Sequence, residues 1–71
     1  MIRQYALVRI TKDWYKIYQD GFGSDSEINR FIYLGEIPNM LGHCVIIGKL
    51  TNTVYSGWHT EIFEEIPEDE V

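Results

Sequence analysis

One cysteine, Cys44, is the only thiol in the sequence. It has no partner for an internal disulfide, so nothing staples the fold; with no leader segment recognisable at the start, the expectation is a cytoplasmic protein. Bases are also scarce. Six Lys and Arg face eleven Asp and Glu, for a net charge of -5, which removes the counterion-release affinity of a strongly basic nucleic-acid binder. No apolar run reaches the roughly 20 residues of a membrane-spanning helix. The longest candidate, Ile28 to Ile47, is broken by Arg30, Glu36, Pro38, Asn39 and His43, so no membrane partner is expected. The glycines form no phosphate-cradling loop either: the GFG at Gly21 to Gly23 lacks the strand before it and the helix after it that such a loop requires. Internal repeats are absent.

A chain of 71 residues makes a single small domain, which buries only about 60% of the surface its unfolded form exposes. Charge is unevenly spread along it. Residues 1 to 60 carry all six bases and five acids, a net of +1, whereas the last eleven residues hold the other six acids and no base. The reading is therefore a near-neutral domain over residues 1-66 and an acidic tail over 67-71, solvated and suited to steering the approach of a basic partner.

The densest apolar stretch, His43 to His59, reads as two strands and a turn. Val45, Ile46, Ile47 and Leu50 on one arm, and Val54, Tyr55 and Trp58 on the other, are the β-branched and aromatic types that suit a pleated, half-buried surface. Asn52 suits the left-handed conformation of a tight turn, but Thr51 before it does not, which leaves a longer loop open. Tyr5 to Thr11 alternates as a strand with Ala6, Val8 and Ile10 on one face, and Arg30 to Ile37 forms another that ends at Pro38.

Between these two strands periodicity does not decide. Asp13 suits the start of a short helix with Trp14, Ile17 and Tyr18 at spacings of three and four, yet strand alternation of Trp14, Lys16 and Tyr18 fits equally well. Gly21 to Ser26 is a breaker cluster, and Ser24 with Glu27 has the spacing of a capping box, allowing a short turn through Asn29. Thr60 to Ile66 reads as one helical turn or a turn into a last short strand, closed by Ile62, Phe63 and Ile66 and stopped by Pro67.

This order of elements, ALVRI, a long loop, FIYLGEI, HCVIIGKL, TVYSGWH, the turn HTEIF and the ending EEI, resembles the SH3-like small β-barrel. The resemblance implies a mainly β fold of about five strands, with a long loop after strand 1 and a short helical turn near the C-terminus. An α+β fold with a helix near residues 25-34 is the alternative. The acidic ALYDY-type loop and the proline-and-tyrosine surface of signalling SH3 domains are absent, so proline-peptide binding is not implied. The run GHCVIIGKLTNTVYSGWHTEIFEEI is also similar to the endings of small uncharacterised proteins encoded by bacteriophages, which implies an origin and no activity.

Chemistry has few footholds. With a two-residue hairpin loop, Leu50 pairs with Thr53 and Cys44 comes to lie opposite His59, a thiol beside an imidazole; but the pairing depends on loop length, and a buried Cys filling core volume is the commoner case. His43 points to the other face, so no four-coordinate zinc site assembles. No catalytic residue, metal site or cofactor is expected, and the protein is read as no enzyme. The aromatics Trp14, Tyr15 and Tyr18, supported by Trp58, are the expected binding residues for a protein partner, on a monomer or weak homodimer. The functional expectation is a phage-derived accessory that engages a bacterial host protein. Alternatives are nucleic-acid binding through the aromatic and basic residues of 9-18, with Lys12 and Lys16 on phosphates, and a structural component that pairs with itself through a strand edge.

Overall fold

The computed structural model describes residues 2-70; Met1 and Val71, the outer ends of the ranges assigned to domain and tail, lie outside the described residues. Five antiparallel strands form one sheet: β1 (Leu7–Ile10), β2 (Phe31–Glu36), β3 (His43–Gly48), β4 (Val54–His59) and β5 (Phe63–Glu65). Their spatial order is β4-β3-β2-β1-β5. The fold is thus mainly β, with short helices and 3-10 turns added.

Alternation on the strands decides which face is covered. Val8 and Ile10 of β1, Phe31 and Tyr33 of β2 and Cys44 and Ile46 of β3 point inward and are buried, while their sequence neighbours are half-buried. Phe22, Ile62 and Phe63 complete this cluster, and each large side chain fully withdrawn from water contributes roughly 1.5–3 kcal/mol. As expected, Ile62, Phe63 and Ile66 close the structure: the 3-10 turn Thr60–Ile62 leads directly into β5, and all three apolar residues are buried.

Residues 11-30 are not an irregular loop. Helix α1 (Lys12–Tyr18), a 3-10 turn (Gln19–Phe22) and the single-turn helix α2 (Asp25–Ile28) fill the excursion. The helical alternative for residues 12-18 prevails because the Thr11 carbonyl receives the N–H groups of Trp14 and Tyr15, at 3.1 and 3.0 Å. Asp13 in the first turn and Lys16 in the last also complement the helix dipole. The expected apolar stripe is corrected at Ile17, which is 64% exposed; Trp14, Tyr15 and Tyr18 are the residues of α1 that pack against the core. The longer helix considered over 25-34 stops at Ile28, where Asn29 takes a left-handed conformation (φ 50°). Ser24 makes no side-chain cap on α2, so the capping-box spacing is present without its hydrogen bond.

The β3–β4 hairpin corrects the pairing derived from a two-residue turn. Pairing starts at Ile47 with Val54, leaving Lys49 to Thr53 between the strands, and a bulge at Gly57 (φ 88°) shifts the register near the far end. Cys44 therefore lies opposite Trp58, and His59 lies opposite His43.

Ion pairs join the acidic end to β1 and to the start of the chain. Glu68–Glu70 make a 3-10 turn, and Glu70 accepts a 3.2 Å bond from the Arg9 guanidinium, which also donates to Glu64 at 2.7 Å. Glu65 accepts from both the backbone N–H and the side chain of Arg3, at 2.9 and 3.0 Å. These bonds hold the Glu65 carboxyl below the usual carboxylate range.

Candidate functional site

Trp14 and Tyr18 are four residues apart on α1 and so lie one above the other on the same face. Their rings are 5.7 Å apart. Tyr18 meets Trp58 of β4 edge-on at 5.5 Å, and Trp58 rests on the buried Phe22 at 4.4 Å. Three of the four aromatics expected to bind thus form a ladder. It climbs from the core at Phe22 to the surface at Trp14, and Trp14, Tyr18 and Trp58 are each half-buried. Ring pairs in such tilted and edge-on arrangements add about 0.5–1.5 kcal/mol each to their buried area.

Gly21 makes room for the ladder. A β-carbon at Gly21 would meet the Trp58 indole at 2.8 and 3.0 Å, closer than real contacts allow, so the absence of a side chain lets Trp58 lie over the 3-10 turn. Tyr15, the fourth expected residue, stands apart. Its hydroxyl donates to the Ser26 carbonyl at 2.7 Å, and its ring lines an open cleft of about 390 Å³ shared with Arg9, Lys12, Lys16, Asn29 and Glu64. The aromatic loop therefore divides into two surfaces. One is a ladder without charge, and the other is a cleft whose Arg9 is already neutralised by Glu64 and Glu70.

A buried anchor ties the end of the same excursion to the β3–β4 hairpin, at a position that reads in the sequence as part of a breaker cluster. Asp25 is fully buried. Its carboxylate accepts the N–H groups of Leu50 and Thr51 at 3.1 and 3.0 Å, and the hydroxyls of Thr51 and Tyr55 at 2.6 Å each. Burial alone pushes the acid up, but the hydrogen bonds from Thr51, Tyr55 and Leu50 outweigh it and hold the carboxyl below its usual range. Tyr55 is pushed the other way, by burial and by bonding to this anion. The Thr51 hydroxyl spends its hydrogen on Asp25, so the Thr53 hydroxyl donates to Thr51 Oγ1, at 2.7 Å. Gly48 lies directly against the Asp25 carboxylate, where any β-carbon would collide with it. The only signals in the sequence are the Asp at a helix start and the pair of Thr residues around Asn52.

Asn29 performs a second tie. Its side-chain oxygen accepts from the Ile10 N–H at 2.8 Å and its amide donates to the Ile10 carbonyl at 3.2 Å, so it imitates a strand neighbour of β1.

The thiol and imidazole that a two-residue turn would pair are not brought together. Cys44 is fully buried and burial raises its thiol, which disfavours the reactive thiolate; its cross-strand neighbours are Trp58 and Glu36. Among the described residues no three His, Cys, Asp or Glu side chains gather as a metal cluster, and no helix is long and apolar enough to cross a membrane. Comparison with protein-family models, with curated proteins and with solved structures finds no match.

Proposed function

We propose that the chain is an SH3-like small barrel that binds a protein and catalyses no reaction, an accessory of bacteriophage origin directed at a bacterial host protein. The strand order β4-β3-β2-β1-β5, the long excursion after β1 and the 3-10 turn before β5 support the SH3-like reading. The resemblance of residues 42-66 to phage proteins supports the origin.

The ladder Trp14–Tyr18–Trp58 carries the binding reading. Half-buried Trp and Tyr rings on a rigid base lose little conformational freedom when covered, and an uncharged surface costs little to desolvate. The exposed Glu68 and Asp69 favour a basic rim on the partner. A pull-down from bacterial lysate with and without nuclease tests this. One host protein retained after nuclease, and lost with Trp14→Ala while the far-UV circular dichroism spectrum is unchanged, is the expected result. Recovery of nucleic acid, with the proteins lost on nuclease treatment, would replace it with the reading that uses Lys12 and Lys16.

A further inference from the structure

The corrected register brings together two groups that a two-residue hairpin loop would keep on different faces. His43 and His59 are cross-strand partners at the end of the β3–β4 hairpin, and their ring centres lie 4.4 Å apart with planes tilted by 41°. The bulge at Gly57 creates this pairing: without its extra residue, His43 would face Trp58.

We propose that His43 and His59 form a two-imidazole site for a divalent transition metal of tetragonal preference, Cu(II) or Ni(II), with water completing the coordination. The donor set carries the choice of metal: two imidazoles completed by water suit Cu(II) or Ni(II), and Cu(II) stands above Zn(II) in affinity for nitrogen ligands, whereas structural zinc takes four protein ligands. With a metal–nitrogen distance of about 2.0–2.1 Å and the ring centre about 1.1 Å further back, two rings on one ion have centres about 4.5–5 Å apart, and the observed 4.4 Å brings both rings within reach of one ion.

A second observation points the same way. His43 Nδ1 lies 3.1 Å from the Leu41 carbonyl oxygen, which can only accept, so the neutral ring carries its proton on Nδ1 and leaves the Nε2 lone pair free. Metal-binding histidines are held in this manner, by a second ring nitrogen donating to a carbonyl or carboxylate. The backbone beneath is fixed on both sides. The His43 carbonyl accepts from Ile37 N–H at 2.9 Å, and Thr60 N–H donates to the Gly42 carbonyl at 2.8 Å. His59 is exposed and His43 half-buried, so the remaining coordination positions open to solvent.

The test is a titration of the untagged full chain with Cu(II), Ni(II) and Zn(II) at pH 7.5, followed by calorimetry and by quenching of tryptophan fluorescence, with Trp58 adjacent to His59 as the reporter. The expected result is saturable binding of one Cu(II) per chain, weaker binding of Zn(II), and a loss of more than about tenfold in affinity with His43→Gln and with His59→Gln. Both variants should keep the wild-type circular dichroism spectrum. Binding that does not saturate, or that persists unchanged in His59→Gln because the acidic tail or the terminal amine holds the metal, would overturn the site. Zn(II) bound as tightly as Cu(II) would overturn the tetragonal assignment.

Discussion

The segment from Thr11 to Arg30 has two ends that behave in opposite ways. Asp25, on α2, is fully buried with four hydrogen bonds satisfying its carboxylate, whereas Trp14, on α1, touches the ladder through Tyr18 and is only half-buried. The fully buried group is a charge, and the partly exposed ones are apolar rings. This inverts the usual partition, in which charges face water and aromatics fill the core. A buried carboxylate is tolerated only because every bond it needs is supplied by one loop, Leu50 and Thr51, and by Tyr55. The half-buried rings pack against the core cluster on one side, and in the proposed binding reading their other side is what a partner would cover.

Breaking the buried end should have the largest effect. A domain of this size is stable by roughly 4–10 kcal/mol. Gly48→Ala drives a methyl group into the Asp25 carboxylate and should cost about 3 kcal/mol or more, read as a lowered urea midpoint. Asp25→Asn replaces one acceptor oxygen with an amide that faces donors, and should cost about 2–3 kcal/mol by the same measurement.

The same carboxylate sets an acid limit. Its folded-state pKa lies below the unfolded value, so its contribution is complete above the unfolded carboxylate pKa of about 3.9 and is lost as pH falls through the lower, folded value. Wild-type unfolding free energy should therefore decline as pH drops below about 4. Asp25→Asn, which has no proton to gain there, should decline less over the same range. Equal slopes for the two proteins would show that Asp25 is not bound as described.

At the exposed end the costs should shrink with distance from the core. Trp58→Ala removes a ring resting on Phe22 and Tyr18 and should lower stability by about 2–3 kcal/mol. Gly21→Ala should cost less than about 1 kcal/mol, because the side chain it meets can swing outward. Its mark should be a changed near-ultraviolet circular dichroism signal as Trp58 moves.

The strands were legible and their connections were not. Period-two alternation marked Ala6, Val8 and Ile10 on one face of the first strand, and Val8 and Ile10 are buried; the other strands were marked by β-branched and aromatic residues between turn signals, and their inward faces, Phe31 and Tyr33, Cys44 and Ile46, emerge from the structure. The α1 segment was ambiguous since Trp14 and Tyr18 share a face at either period; hydrogen bonds to the Thr11 carbonyl, which leave no trace in composition, decide for helix. The hairpin register failed for two reasons. The longer loop moves the pairing by two residues, to Ile47 with Val54, and the Gly57 bulge moves it back by one, so that His59 pairs with His43 in place of Cys44; both are backbone choices that composition does not show. Asp25 was hidden for a related reason: Gly-Ser-Asp-Ser reads as a turn, and only the tertiary approach of Leu50, Thr51 and Tyr55 turns its acid into an anchor. Of the expected binding residues, Trp14, Tyr18 and Trp58 lie together. Tyr15 went to the cleft because its hydroxyl found the Ser26 carbonyl.

The most direct test of the division between anchor and ladder is urea unfolding of Trp14→Ala beside Asp25→Asn in one buffer. The account predicts that Trp14→Ala stays within about 1 kcal/mol of wild type while Asp25→Asn loses about 2–3 kcal/mol. A loss for Trp14→Ala as large as that for Asp25→Asn would mean that the ladder is core, held for the fold and not for a partner.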